Sequence, residues 1–265
     1  WKGENLKDKK ILVYEDQGIG DSIQFSRFLF SLFKICKDIR IEVRESVFTL
    51  FQRNILNLKT YKKGTNQNSD CNYKISFASL NNFFFEDKNK IEEKLFKIDK
   101  EILLKWSNKI SSKKLKVGLT WSGSLYGVNE PFRSIELASL KKILSLDCDF
   151  FCLQKDIWDR DKKYFEGLKI NYLGDKSFLE IAAIIENLDI VISTDTSTLH
   201  LSSSLEKLTW GLISFNPEWR WWKYNKPSFY KKLKEYKQVQ FGNWDYILNN
   251  VYKDLKKKII DKKTN

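Results

Sequence analysis

The residues best suited to chemistry lie in the run Asp189-Ile-Val-Ile-Ser-Thr-Asp-Thr-Ser-Thr-Leu-His200, where an apolar strand ends in Asp195, Thr196 and Ser197. Those hydroxyls open a helical pattern that carries the single histidine of the 265-residue chain, His200. A strand-to-helix turn of this kind points backbone N–H groups and the positive end of the helix dipole at one place, which suits a phosphate. The plainer alternative is a core helix cap with a packed histidine. Asp195, Thr196, Ser197 and His200 together favour a nucleotide-diphosphate pocket.

Four other segments offer polar groups at the carboxyl ends of strands. Gly18-Ile-Gly20-Asp21 combines two glycines, which permit tight turning and close approach of a ligand, with a carboxylate at a helix start. Asp21 is there either a helix cap or, if buried in a cleft, a general base. Thr120-Trp-Ser-Gly-Ser124, followed by Arg133, reads equally as a phosphate site and as a surface turn; Ser122 and Gly123 are its central candidates. Gln154-Lys155 ends another strand, where a ligand contact competes with a solvated lysine. Asn216-Pro-Glu-Trp-Arg-Trp-Trp-Lys-Tyr224 either stacks a base or sugar or seals a domain junction.

Alternating strands and helices must carry these groups. In the first half the pattern predicts strands at Lys10–Tyr14, Ile39–Arg44, Lys59–Lys62 and Tyr73–Phe77, with helices at Asp21–Cys36 and Val47–Asn54. Gly64–Asp70 is a polar loop, and residues 88–112 read as a charged, helical connection. The second half predicts strands at Lys116–Trp121, Asp149–Gln154, Ile170–Leu173, Asp189–Thr194 and Leu208–Ser214. Its helices fall at Glu136–Leu146, Asp159–Phe165, Phe178–Leu188, from Ser197, and at Tyr246–Ile260. Repeated βα units imply an α/β protein with two parallel sheets and a ligand cleft between them. The expected units are 1–112, 113–242, and a C-terminal helix at 243–265 that packs back across both.

Composition narrows the classes. Hydrophobic residues make up 42% and aromatics 15%, enough for packed cores. The apolar runs fall short of the ~20 residues of a membrane span. The four cysteines fit no zinc spacing, and a reducing cytosol suits them. The net charge of +13 comes from lysine spread along the chain, concentrated only at Lys253–Lys263. A positive charge of this size could suit nucleic acid, but its dispersal argues against such a partner and for at most weak attraction to acidic lipids or anionic substrates. The start at Trp1 and the absence of Met suggest a domain cut from a longer protein.

In order, Leu12–Phe25, Thr120–Gly123, Phe151–Lys155, Asp195–His200 and Pro217–Trp221 resemble the glycosyltransferase domain that follows tetratricopeptide repeats in many bacterial proteins. That domain is akin to the family 9 ADP-heptose:lipopolysaccharide heptosyltransferases. The resemblance spans nearly the whole chain. It implies a GT-B fold, with acceptor on the first Rossmann-like domain and nucleotide-sugar donor on the second. It also implies no cofactor, no obligatory metal and an upstream repeat region. The acceptor class stays open among glycan, lipid-linked and protein hydroxyls.

By the same resemblance Asp21 is the catalytic base, with Gly18, Gly20 and Gln24 in the acceptor or glycine loop. Thr120, Ser122, Gly123, Arg133, Gln154, Lys155, Asp195, Thr196, Ser197 and His200 fall on the donor side. Two departures stand out: Arg133 where a lysine is usual, and Gln24-Phe25 after the base. The expected reaction is inverting sugar transfer. The alternatives are a nucleotide-sugar epimerase or a catalytically silent module that binds sugar nucleotides or proteins.

Overall fold

The computed structural model describes residues 1–54, 58–65, 70–86, 94, 96–124, 130–165, 167–221 and 230–264. In the first half, β1 (Lys10–Tyr14), β2 (Asp38–Val43), β3 (Lys59–Lys62) and β4 (Tyr73–Ser76) form a parallel sheet in the order β3-β2-β1-β4. Around it run α1 (Ile19–Phe25), α2 (Leu29–Ile35), α3 (Glu45–Asn54), α4 (Asn81–Phe84) and α5 (Lys100–Lys109).

The second half holds a six-stranded parallel sheet. Its strands are β5 (Leu115–Thr120), β6 (Cys148–Cys152), β7 (Ile170–Tyr172), β8 (Ile190–Thr194), β9 (Thr209–Ile213) and β10 (Leu233–Lys237), ordered β10-β9-β8-β5-β6-β7. Helices α6 (Glu130–Arg133), α7 (Lys141–Leu144), α8 (Asp159–Phe165), α9 (Phe178–Asn187), α10 (Ser197–Ser204) and α11 (Asp245–Thr264) accompany it. All five residues of β8 are buried, as a central strand covered on both faces requires. Chain order reverses between the neighbours β5 and β8, which opens a crevice at their carboxyl ends.

The core is continuous across the two halves. Ile11, Val13, Ile23, Phe25, Val47 and Phe51 cluster with Ala182, Ala183, Ile184 and Ile185 of α9 and Leu201 of α10. Ile184 and Ile185 are fully buried, each worth about 1.5–3 kcal/mol relative to exposure. A hydrogen bond from Asn187 Nδ2 to the Leu103 carbonyl, 3.0 Å, joins α9 to α5 at the same seam. The other face of the second sheet has its own core, in which α11 packs Ile247, Leu248, Val251, Leu255 and Ile259 against Val117, Leu119 and Trp210. The apolar stripe of this helix belongs to the second core.

Several boundaries also differ from expectation. The helix predicted over Asp21–Cys36 starts at Ile19 and breaks at a 3₁₀ turn, Ser26–Phe28. Ser26 Oγ donates to the Ile23 carbonyl at 2.8 Å and competes with the regular ladder there. Glu136–Leu146 resolves into a 3₁₀ turn, Leu137–Leu140, and the short α7. In the expected connection 88–112 the helix covers Lys100–Lys109, and residues 88–93 and 95 lie outside the described residues. β10, α4 and α6 are additions. All four cysteines are free, and burial pushes the Cys148 and Cys152 thiols up to about 12, which keeps them neutral and unreactive.

One buried carboxylate fixes the turn after β5. Asp161, 1% exposed, accepts from Trp121 Nε1 at 3.0 Å and from the Leu137 N–H at 2.9 Å. Asp161→Ala strands two buried donors and should cost about 2–5 kcal/mol in urea unfolding. A loss below about 1 kcal/mol contradicts this role for the carboxylate.

Candidate functional site

The crevice beside β5 and β8 is lined at its floor by the start of α10. Thr196 is the N-cap of that helix, with extended backbone, but its side chain caps nothing; its Oγ1 lies 3.1 Å from Ser193 Oγ. The first-turn N–H groups of α10 thus have no side-chain cap among the described residues and lie at a cavity of about 530 Å³. Thr120, Ser122, Gly123, Gln154, Lys155, Thr196, Ser197 and Thr198 line it from the second half, and Ser46, Thr49 and Leu50 of α3 from the first. Thr120 Oγ1 is buried and has no hydrogen-bond partner among the described residues.

Gln154 sits in this wall as a clamp. Its Oε1 accepts from the N–H groups of Trp121 and Ser122 at 3.2 and 3.0 Å, and its Nε2 donates to Ser122 Oγ and the Asp156 carbonyl. The amide is thereby spent on shaping the Thr120–Gly123 turn. Lys155 remains exposed in the cavity wall, and Lys176, which the sequence reading passed over, joins it there.

A second cavity, of about 520 Å³, shares Ile19, Gly123, Ser124, Thr196 and Ser197 with the first. Gly18, Gly20, Asp21, Arg44, Arg133, Asp195, His200, Glu218 and Arg220 also line it. Gly18, not Asp21, is the N-cap of α1, and Asp21 Oδ2 accepts the Gly18 N–H at 3.0 Å. Asp21 Oδ1 lies 2.6 Å from Arg220 Nη2, and Arg220 Nη1 donates to Gln24 Oε1 at 3.1 Å. Burial works to lower Arg220, but the carboxylates of Asp21, Asp195 and Glu218 outweigh it and hold the guanidinium above its ordinary value.

Asp195 and His200 are engaged within the protein. Asp195 Oδ2 accepts from Trp221 Nε1 at 2.8 Å, and its Oδ1 lies 3.4 Å from His200 Nε2. His200 Nδ1 is 2.9 Å from the Tyr230 hydroxyl, and the ring stacks on Trp221. Burial works to raise Asp195, yet His200, Arg220 and Trp221 together hold it below the usual carboxylate range. The close approach that Gly20 permits is to His200: a Cβ there would meet His200 Cδ2 at 2.9 Å. The glycine lets α1 seat on α10, where the sequence suggested room for a ligand.

Of the two readings of the 216–224 loop, the geometry of its described residues favours the seal. Trp219 stacks on Phe25 of the first half at 6.1 Å, while Trp221 packs on His200 of the second. Residues 222–224 lie outside the described residues. Arg44 and Arg220, like Lys176, are site residues that the sequence motifs did not single out. Arg44 is backed by an ion pair to the buried Glu15 and donates to the Gln17 carbonyl at 2.7 Å. The available signal for Arg220 was its position between two tryptophans. Among the described residues no group of three His, Cys, Asp or Glu side chains is placed to hold a metal ion. No described helix is long and apolar enough to cross a membrane.

No family model matches this chain, and no curated protein does. Solved structures do. The glycosyl transferase family 9 structure from Veillonella parvula DSM 2008 superposes over 97% of this chain and 96% of its own, at TM-score 0.59 and 14% identity. E. coli ADP-heptose lps heptosyltransferase II does so over 96% and 99%, at TM-score 0.62 and 9% identity.

The chain has the GT-B fold.

A third GT-B structure, E. coli heptosyltransferase WaaC with ADP-2-deoxy-2-fluoro heptose, covers 94% of this chain and 99% of its own, at TM-score 0.54 and 11% identity. Within this fold, the seam of the present chain yields two tests. Asp195 is depressed in the folded state, so its stabilisation is present at neutral pH and is lost as pH falls through about 4 and below. Asp195→Asn should therefore lose less unfolding free energy than wild type between about pH 5 and 3; equal losses would contradict the assignment. Gly20→Ala should cost about 1–3 kcal/mol in thermal unfolding, because His200 or α1 must move. An unchanged midpoint would show that the helices have room.

Proposed function

We propose that this protein is a glycosyltransferase that moves a sugar from a nucleoside-diphosphate donor to an acceptor hydroxyl, with inversion and without a metal. The observation that carries this reading is the juxtaposition of the uncapped start of α10 with Asp21 across adjoining cavities. The GT-B fold supports it, as does the sugar-nucleotide analogue, ADP-2-deoxy-2-fluoro heptose, that accompanies WaaC.

In this reading the donor diphosphate lies at Thr196, Ser197 and Thr198, where N–H groups and the helix dipole meet its charge. Thr120, Ser122 and Gly123 border it, Lys155 and Lys176 supply cations, and Arg133 approaches from the adjoining cavity. Asp21 takes the proton of the acceptor hydroxyl as its oxygen attacks the anomeric carbon from the face opposite the diphosphate. The bond from the anomeric carbon to phosphate oxygen breaks, and its electron pair leaves on the diphosphate. Charge building there is stabilised by the α10 start and the neighbouring cations, which is the work a metal performs elsewhere.

His200 and Gln154 serve this donor site indirectly, by holding Asp195 and the Thr120–Gly123 turn. The acceptor enters beside Gly18 and Arg44. A glycan, a lipid-linked sugar and a protein hydroxyl all satisfy this chemistry. An upstream tetratricopeptide-repeat region and a bacterial cytoplasmic setting belong to the same proposal.

A thermal-shift screen of ADP-, UDP-, GDP- and CDP-sugars tests it. At least one should raise the unfolding midpoint, and Asp21→Ala should keep that shift while release of nucleoside diphosphate falls about 10²–10⁴-fold. No shift with any donor would overturn the pocket. Binding without turnover of any donor by wild type would favour the silent module.

A further inference from the structure

The donor and base assignments leave unexplained why an arginine from the second half is buried beside the proposed base of the first. Arg220 is 6% exposed at its side chain and follows β9 by a short segment, yet both its terminal nitrogens reach α1. Nη2 meets Asp21 Oδ1 at 2.6 Å, and Nη1 donates to Gln24 Oε1 at 3.1 Å. The residues on either side fix the guanidinium in place: Trp219 stacks on Phe25, and Trp221 is held by Asp195. Desolvating an arginine costs several kcal/mol. Its seal against Phe25 could be made by an apolar side chain without that cost, so the charge calls for a separate explanation.

We propose that Arg220 is the positioning residue for Asp21. The carboxylate then has one contact from each half of the molecule: the Gly18 N–H on Oδ2 and the Arg220 guanidinium on Oδ1. Two fixed contacts set the plane of the group. Gln24, one turn further along α1, holds the other arm of the fork and keeps the guanidinium in register. The site is thus complete only when the two halves are packed together. This role rests on the reading of Asp21 as proton acceptor. The other charges facing the pair across the cavity are Asp195, Glu218, Arg44 and Arg133.

The test uses the whole chain and whichever sugar nucleotide the thermal-shift screen selects, with release of nucleoside diphosphate as the readout. Arg220→Gln should lower kcat at least about tenfold with donor KM changed less than about twofold. Arg220→Lys, which keeps a cation beside Asp21, should recover part of the lost kcat with donor KM unchanged. Equal loss of kcat in the Gln and Lys variants would reduce Arg220 to a structural residue and overturn the proposal. So would a Gln variant as active as wild type.

A double-mutant cycle of Asp21→Asn and Arg220→Gln, read by urea unfolding, tests the pairing without turnover. Non-additivity is expected, and strict additivity would overturn it. If wild type turns over no donor, the reading of Asp21 fails and the role of Arg220 fails with it. Loss confined to the Arg220 variants leaves that reading standing.

Discussion

The ion pair between Arg220 and Asp21 is the constraint on which the seam depends. Two charges held away from water are tolerated when each meets the other and further donors and acceptors complete them. Here Gly18, the N-cap of α1, and Gln24 supply those groups, while the chain neighbours of Arg220 are anchored, Trp219 on Phe25 and Trp221 on His200. The partners stand 199 residues apart in the chain, so the pair exists only when both halves are folded and in contact. Everything that brings α1 to α10, including the missing side chain at Gly20, contributes to making it.

The apolar packing behind the seam gives that contact its rigidity. α9 and α10 grow from the second sheet but bury Ala182, Ile184, Ile185 and Leu201 in the core of the first. The polar groups are left for the crevice above, where β5 and β8 end and the chain order reverses. A hydrogen-bonded frame of Gln154, Asp161 and Trp121 then fixes the turn that faces the start of α10. The side chains with satisfied partners are the frame; among the described residues, the uncapped N–H groups of α10, Thr120 Oγ1, Lys155 and Lys176 face the cavity where a ligand would lie.

Much of this layout was legible in the sequence. Buried parallel strands read as near-continuous apolar runs, so β1, β5, β6 and β8 and the polar groups at their ends could be placed from the residues. The turn Asp195–His200 and the loop before Asp21 likewise fall at the crevice, as their positions at strand ends imply. What could not be read was partnership. Nothing local marks His200 for Tyr230 and Asp195, Gln154 for the Ser122 turn, or Arg220 for Asp21, because each pairing is set by tertiary packing. The same holds for the break at Ser26, where a side-chain hydrogen bond and the fit of Phe25 and Phe28 override helical periodicity, and for the edge strand β10, whose alternation is weak.

The central claim is that a donor diphosphate rests on the start of α10, opposite Asp21. A crystal structure of the protein with the nucleoside diphosphate that stabilises it most tests this directly. Phosphate oxygens are expected within hydrogen-bonding distance of the Ser197 and Thr198 N–H groups, with the terminal phosphate turned toward the cavity that contains Asp21. A diphosphate bound at the strand ends of the first sheet, or one that leaves the α10 N–H groups to solvent, would contradict it.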